Sequence, residues 1–189
     1  YNRGVAKQNL GDLSTSDPAV NPASEVDRRH RDSYTARGTV RLTQRRLLDA
    51  RDDFDRAIFL NRDHALALNN RGNVRKEIGD IAGSIQDYAR LIELQPEAAD
   101  AWYNRGAARY VAGDFRGTRD DSSRAIELKP DCAEAYGNRG LARLYLGEDA
   151  EAQKDFEECL RLNPQFGVPL LQRMAAAKRD IVARRLSPL

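Results

Sequence analysis

The residues best placed to do chemistry by repetition are eight arginines. Arg37, Arg71, Arg105 and Arg139 stand 34 residues apart, and Arg41, Arg75, Arg109 and Arg143 follow each of them by four. Two such columns on helical faces could offer a basic stripe to nucleic acid or another acidic ligand. They could equally be consumed inside the fold. Asp53, Asp87, Asp121 and Asp155 lie sixteen residues after the first column, joined by Asp52 and Asp120. A planar guanidinium forks onto a carboxylate with two hydrogen bonds, so this spacing favours a ladder of internal ion pairs over a free stripe.

Other reactive side chains are sparse. His30 and His64, the only two histidines, sit one 34-residue period apart with no recurring nucleophile or carboxylate beside them, and are expected to be turn residues. Cys132 and Cys159 are too few for a disulfide framework and lack the paired spacing of a zinc site; small core positions suit them. No Gly-rich phosphate loop or Cys/His cluster is present. The sequence therefore assigns no catalytic residue, no metal and no cofactor, and predicts a protein that is not an enzyme. With 189 residues, 41% hydrophobic, 32% charged and a net charge of +2, it has no apolar run of membrane-spanning length and no signal-peptide pattern. The near-neutral charge weighs against nucleic acid as a partner. The sequence opens at Tyr1 and not Met, which leaves the compartment open between cytoplasm and, were a leader removed, periplasm or secretion.

The elements that position the arginines follow from the same period. Arg-Gly pairs recur at 37–38, 71–72, 105–106 and 139–140, with Arg3-Gly4 one period upstream. Ile58, Ile92, Ile126 and Leu160 form one further column and Leu60, Leu94, Leu128 and Leu162 another, while Pro96, Pro130 and Pro164 close three units. A fixed period of this length marks a solenoid. Within a unit the apolar spacing is helical. Gly79-Asp80, Gly113-Asp114 and Gly147-Glu148 supply a left-handed stop and then a cap, and Pro ends the second helix. Each unit is thus helix, tight turn, helix. Small residues in the Gly column and at Ala50, Ser84, Thr118 and Ala152 let the two helices approach, with Phe54, Tyr88 and Phe156 filling the gap. Ser122 breaks that last column, so the third unit should pack least well.

The period, Trp102-x-x-x-Gly106, the Ala50-x-x-x-Phe54 and Ala152-x-x-x-Phe156 pairs and the terminal prolines together resemble tetratricopeptide repeats. The resemblance implies an all-α, right-handed α-solenoid of helix-turn-helix repeats. Four repeats are expected, over 31–64, 65–98, 99–132 and 133–166. A degenerate N-terminal repeat and loop would occupy 1–30, with Asn21-Pro22 as an alternative helix start, and a C-terminal capping helix 167–189, with Leu171, Met174 and Ile181 apolar. Departures from the family are Arg in the two columns around the Gly, and Arg45-Arg46 and Arg62 in the first unit where Gly-Asp and Pro are usual.

Family members bind partners in a concave groove lined by the first helices. The resemblance places the residue two before the Gly there: Asn70, Asn104 and Asn138, a ladder of amides able to hydrogen-bond the main chain of an extended peptide. Neighbouring groove columns add Asn69, Asn73, Lys76, Tyr103, Tyr110 and Tyr145. The chaperone-tail clamp of some members needs Lys or Arg in groove columns. Here the Asn column holds none, and the column opening each unit reads Asp32, Leu66, Asp100, Glu134, so such a role is disfavoured. The expected function is a protein-interaction scaffold or adaptor with a protein or peptide partner. Its rivals are a structural homo-oligomer assembling through the incomplete N-terminal repeat, and acidic-ligand or nucleic-acid binding through the arginine columns.

Overall fold

The computed structural model describes residues 22–186, and every regular element among them is helical. The helices are α1 (Pro22–Thr43), α2 (Leu47–Leu60), α3 (Ala65–Glu77), α4 (Ile81–Leu94), α5 (Ala99–Val111), α6 (Phe115–Leu128), α7 (Ala133–Leu146), α8 (Asp149–Leu162) and α9 (Gly167–Leu186), with one 3-10 turn at Pro164–Phe166. Each helix from α1 to α7 packs on the next, and α9 packs back on α7. The odd-numbered helices α1, α3, α5 and α7 also touch across successive units, whereas the even-numbered ones scarcely do. The stack therefore curves, with the odd-numbered helices on its inner side.

Turn chemistry explains where the helices break. Gly79, Gly113 and Gly147 take left-handed φ values of +87°, +79° and +78°, which a residue without Cβ adopts freely. Asp80 and Asp114 then cap α4 and α6 by accepting from the backbone N–H of Gly83 and Gly117 at 3.0 and 2.9 Å. Glu148 makes no such cap on α8. In the first unit Arg45 is forced to φ +61° and Arg46 caps nothing with its side chain.

Packing within a unit depends on the Gly column. A Cβ on Gly38, Gly72 or Gly140 would lie 2.7, 2.8 or 2.5 Å from the rings of Phe54, Tyr88 and Phe156 respectively. At Gly106 the nearest atom would be Asp121 Cβ at 3.2 Å, because Ser122 replaces the ring. Ser122 is buried there, and its hydroxyl, like that of Ser84 in the second unit, has no hydrogen-bond partner among the described residues.

The two ends differ in detail from expectation. The degenerate unit expected over 1–30 falls mostly outside the described residues; residues 22–30 are helical and continuous with α1. Pro22 stands at the helix start, where its fixed φ suits the first turn and its missing N–H costs nothing. His30 consequently lies inside α1 and not in a turn, whereas His64 does precede α3. At the other end, α9 seats Leu170, Met174, Ala177 and Ile181 on Leu141, Leu144, Phe156 and Cys159. Leu171 is not part of that stripe and is 62% exposed.

Candidate partner-binding groove

Charge inside the stack is settled by a repeating triad. Asp53 accepts from Arg37 Nε and Nη2 at 3.0 and 2.6 Å and from Arg41 at 2.6 Å. Asp87 is held likewise by Arg71 and Arg75, Asp121 by Arg105 and Arg109, and Asp155 by Arg139 and Arg143. All four carboxylates are buried. Burial alone would lift the Asp53 carboxyl; the hydrogen bond and charge of Arg37, with those of Arg41, outweigh it and hold the group below the usual carboxylate range. Arg71 also reaches back to Asp55 at 2.6 Å and Arg139 to Ser123 at 3.3 Å, tying one unit to the next. Both arginine columns are thus spent on stacking, which overturns the reading of them as a free basic stripe for nucleic acid or acidic ligands.

The Asn column also faces neighbouring units. Asn70 Nδ2 donates to Thr39 Oγ1 at 3.5 Å and Asn104 Nδ2 to Asn69 Oδ1 at 3.3 Å. Asn138 accepts from Arg173 Nη2 of α9 at 2.9 Å and is only 3% exposed. An amide that bridges helices is not available to grip a peptide main chain, so Asn138 is removed from the accessible face and Asn104 is engaged. Asn73 accepts from the Tyr88 hydroxyl at 2.7 Å.

What remains on the inner face is of a different kind. Leu66 is 55% and Val111 61% exposed, joined by Val168 and Leu171 of α9. Lys76 is half-buried with no carboxylate at ion-pair distance among the described residues, and burial pulls its ammonium pKa down against the weaker opposing charge of Glu77. Tyr103 is largely covered, which pushes its phenol up. Tyr110 meets Phe115 and Tyr145 edge-on, with centroids 5.8 and 6.0 Å apart, and Phe115 stacks on Tyr145 at 3.8 Å. Arg173 lies over Tyr110 and Arg184 over Phe115 and Tyr145, each near 5.5 Å. Tyr110 and Tyr145 are thus partly roofed by α9, and Tyr103 shares a pocket with Leu170 and Arg173 of α9, while Asn69 and Lys76 lie on α3 toward the middle of the stack.

The importance of Arg173 was missed from the sequence, although a signal existed: it stands 34 residues after Arg139, in the same column. Cys132 and Cys159 are free and buried, and burial pushes both thiols up, away from the reactive thiolate.

Comparison with known proteins bears on this geometry directly. Family models for the tetratricopeptide repeat match residues 35–75 and 133–166, and a TPR repeat model matches 72–113. The chain is a tetratricopeptide repeat protein. Among solved structures it is similar to MamA, with TM-score 0.71 at 22% identity over 79% of this chain and 81% of that one. It is also similar to YrrB, described as a TPR protein with an unusual peptide-binding site, with TM-score 0.68 at 19% identity over 82% and 79%. The first TPR of Spaghetti (RPAP3), solved bound to the HSP90 peptide SRMEEVD, gives TM-score 0.56 at 26% identity over 62% and 93%. No curated protein matches the chain in sequence. The fold of this TPR protein is that of a protein–protein interaction scaffold in general; no helix among the described residues is long and apolar enough to cross a membrane.

Proposed function

We propose that this protein is a non-enzymatic scaffold that binds an extended segment of a protein partner along the inner face of α3, α5, α7 and α9. The observation that carries this reading is the contrast between the two kinds of surface. The repeating charges are neutralised inside the stack, yet the inner face keeps apolar side chains in water, at Leu66, Val111, Val168 and Leu171, together with Lys76, which has no carboxylate at ion-pair distance among the described residues. Apolar groups left exposed on a concave polar-rimmed face are the usual mark of a recognition surface. Peptide binding by the related folds of YrrB and RPAP3 supports the same reading. The Asn ladder contributes to unit stacking, and Asn69, Lys76, Tyr103 and the apolar groups provide the contacts. The test is to select peptides from a displayed library against the folded protein and to measure their affinity for Leu66→Glu, Tyr103→Ala and the even-face control Lys154→Glu. Loss of binding in the first two with retention in the third is expected; equal binding in all three would place recognition elsewhere.

Self-association is favoured by one separate observation. Phe59 is 87% exposed in a column that otherwise reads Glu93, Glu127, Arg161, and with His30, Tyr34 and Arg56 it borders a cavity of about 550 Å³ at the N-terminal end. Sedimentation of the wild type against Phe59→Glu decides it: a dimer that dissociates in the variant supports this second reading, and a monomer in both removes it.

A further inference from the structure

We infer that the junction of α5, α7, α8 and α9 holds an anchor pocket for one apolar, leucine-sized side chain of the partner segment, with an acidic residue next to it in the partner bound by Arg173. The inference rests on the inner-face reading above and adds the chemistry of the bound segment.

The pocket arises from a missing side chain. One inner column reads Thr35, Asn69, Tyr103, Gly137, Leu171, so α7 alone lacks a side chain there. The space there is about 180 Å³, lined by Tyr103, Glu134, Cys159, Leu170 and Arg173 together with Phe166 and Pro169. A cavity of ~150 Å³ lined by apolar groups accommodates benzene, so this one accepts a single side chain of that order. It is not needed for backbone clearance: a Cβ on Gly137 would meet Cys159 Sγ at 3.4 Å and Leu170 at 3.9 Å, ordinary packing distances or close to them. Nor does φ demand glycine at this helical position, because Gly137 is not among the residues of positive φ.

Arg173 supplies the polar half. It occupies the column of Arg37, Arg71, Arg105 and Arg139, each of which meets a buried Asp sixteen residues on. For Arg173 the position sixteen on is Leu189. Its guanidinium therefore has no carboxylate among the described residues; one Nη donates to Asn138 and its plane lies over Tyr110. A guanidinium has five N–H donors, so it retains donors for an incoming carboxylate. Glu134, across the pocket, has no cation at ion-pair distance among the described residues and offers an acceptor to the partner's main-chain N–H. The two charges set the direction of the bound segment.

The test uses the full chain and two probes, Ac-Gly-Leu-Glu-Gly-NH2 and its Leu→Ala analogue, titrated by amide NMR, together with a display-selected inner-face peptide measured by fluorescence anisotropy. The leucine probe should shift the signals of Gly137, Leu170 and Arg173, and the alanine probe should bind roughly tenfold more weakly or worse. Gly137→Met, which fills the cavity from within, should abolish those shifts. Gly137→Ala serves if the larger change impairs folding and should weaken the leucine probe in proportion to the lost volume. Arg173→Gln should remove the preference for Glu over Gln in the probe. Shifts confined to other residues, or a leucine probe unaffected by either Gly137 variant, would overturn the pocket. A selected peptide that loses affinity with Tyr103→Ala and Leu66→Glu yet ignores Gly137→Met would overturn the pocket alone and leave the inner-face reading standing.

Discussion

Replacing Asp121 by Ala should damage the fold more than replacing Arg105 by Leu, and the triad geometry gives the size of the difference. Asp121 accepts from Arg105 Nε and Nη2 at 2.9 and 2.8 Å, and its second oxygen also lies 2.9 Å from Arg109 Nη1. Removing the carboxylate leaves two partly buried cations side by side with their shared counter-charge gone, a loss of about 3–5 kcal/mol for a broken buried pair. Arg105→Leu removes the fork but leaves Asp121 on Arg109 and adds an apolar side chain at a family-like position; losing charged hydrogen bonds of this kind costs about 1.5–3 kcal/mol. For a chain of this length the midpoint should fall by about 10 °C for Asp121→Ala and about 5 °C for Arg105→Leu, followed by far-UV circular dichroism. Converting the whole triad to Arg105→Leu, Arg109→Leu and Asp121→Leu should recover much of the loss, because no charge is then stranded. Equal midpoints, or a lower one for Arg105→Leu, would refute the claim that the carboxylate is the shared keystone of the unit.

Three further outcomes follow from the geometry. Gly140→Ala places a Cβ 2.5 Å from the buried Phe156 ring and should lose about 1–3 kcal/mol by overpacking, whereas Gly106→Ala, opposite Ser122, should be near neutral because better helix propensity offsets a small shift; the two melting curves check this. Arg45→Gly should raise stability by about 1 kcal/mol by relieving the left-handed backbone at φ +61°, measured by chemical denaturation, with no gain meaning that the turn rearranges. His64, whose Nε2 lies 2.9 Å from Thr35 Oγ1, has its pKa lowered first by burial and then by the charge of Arg31. The unfolded chain binds the proton more readily, so stability is intact above ~6.5 and falls as pH drops through the lower folded value; His64→Gln should flatten that part of the stability profile.

The sequence made the ladder legible because recurrence does two jobs at once: a 34-residue period sets the helix hairpin, and a sixteen-residue offset inside it favours Arg and Asp standing opposite each other across that hairpin. The same logic located the turn glycines and the break in the aromatic column at Ser122. It failed where a polar residue reads alike in two settings. Asn104 on an exposed face and Asn104 bridging to Asn69 have the same pattern, and only the approach of adjacent inner helices, a product of curvature, separates them. The inner role of α9 was hidden for a related reason. A helix with Lys178, Arg179 and Arg184 reads as a solvating end, and the buried stripe Leu170, Met174, Ala177, Ile181 lies one residue away from the Leu171 face.

In a solenoid whose repeated polar groups neutralise one another, specificity has to come from positions where the repetition fails. Each arginine of the first column from Arg37 to Arg139 is matched by an Asp on the second helix of its own unit, so its charge is neutralised within that unit. For Arg173 the residue sixteen on is Leu189 and not Asp, and the column that would shield the pocket beneath it contains Gly137. One irregularity frees a cation and the other opens apolar space beside it. Neither would bind much alone, since an exposed guanidinium is well hydrated and a cavity this small removes little area from water. Together they distinguish a partner that carries an apolar residue beside an acidic one from a partner that carries either alone, because the charge is recognised only where the adjacent side chain has already displaced water. That requirement gives a coupling energy between Gly137→Met and Arg173→Gln that differs from zero, which two independent contacts on a uniform surface would not show.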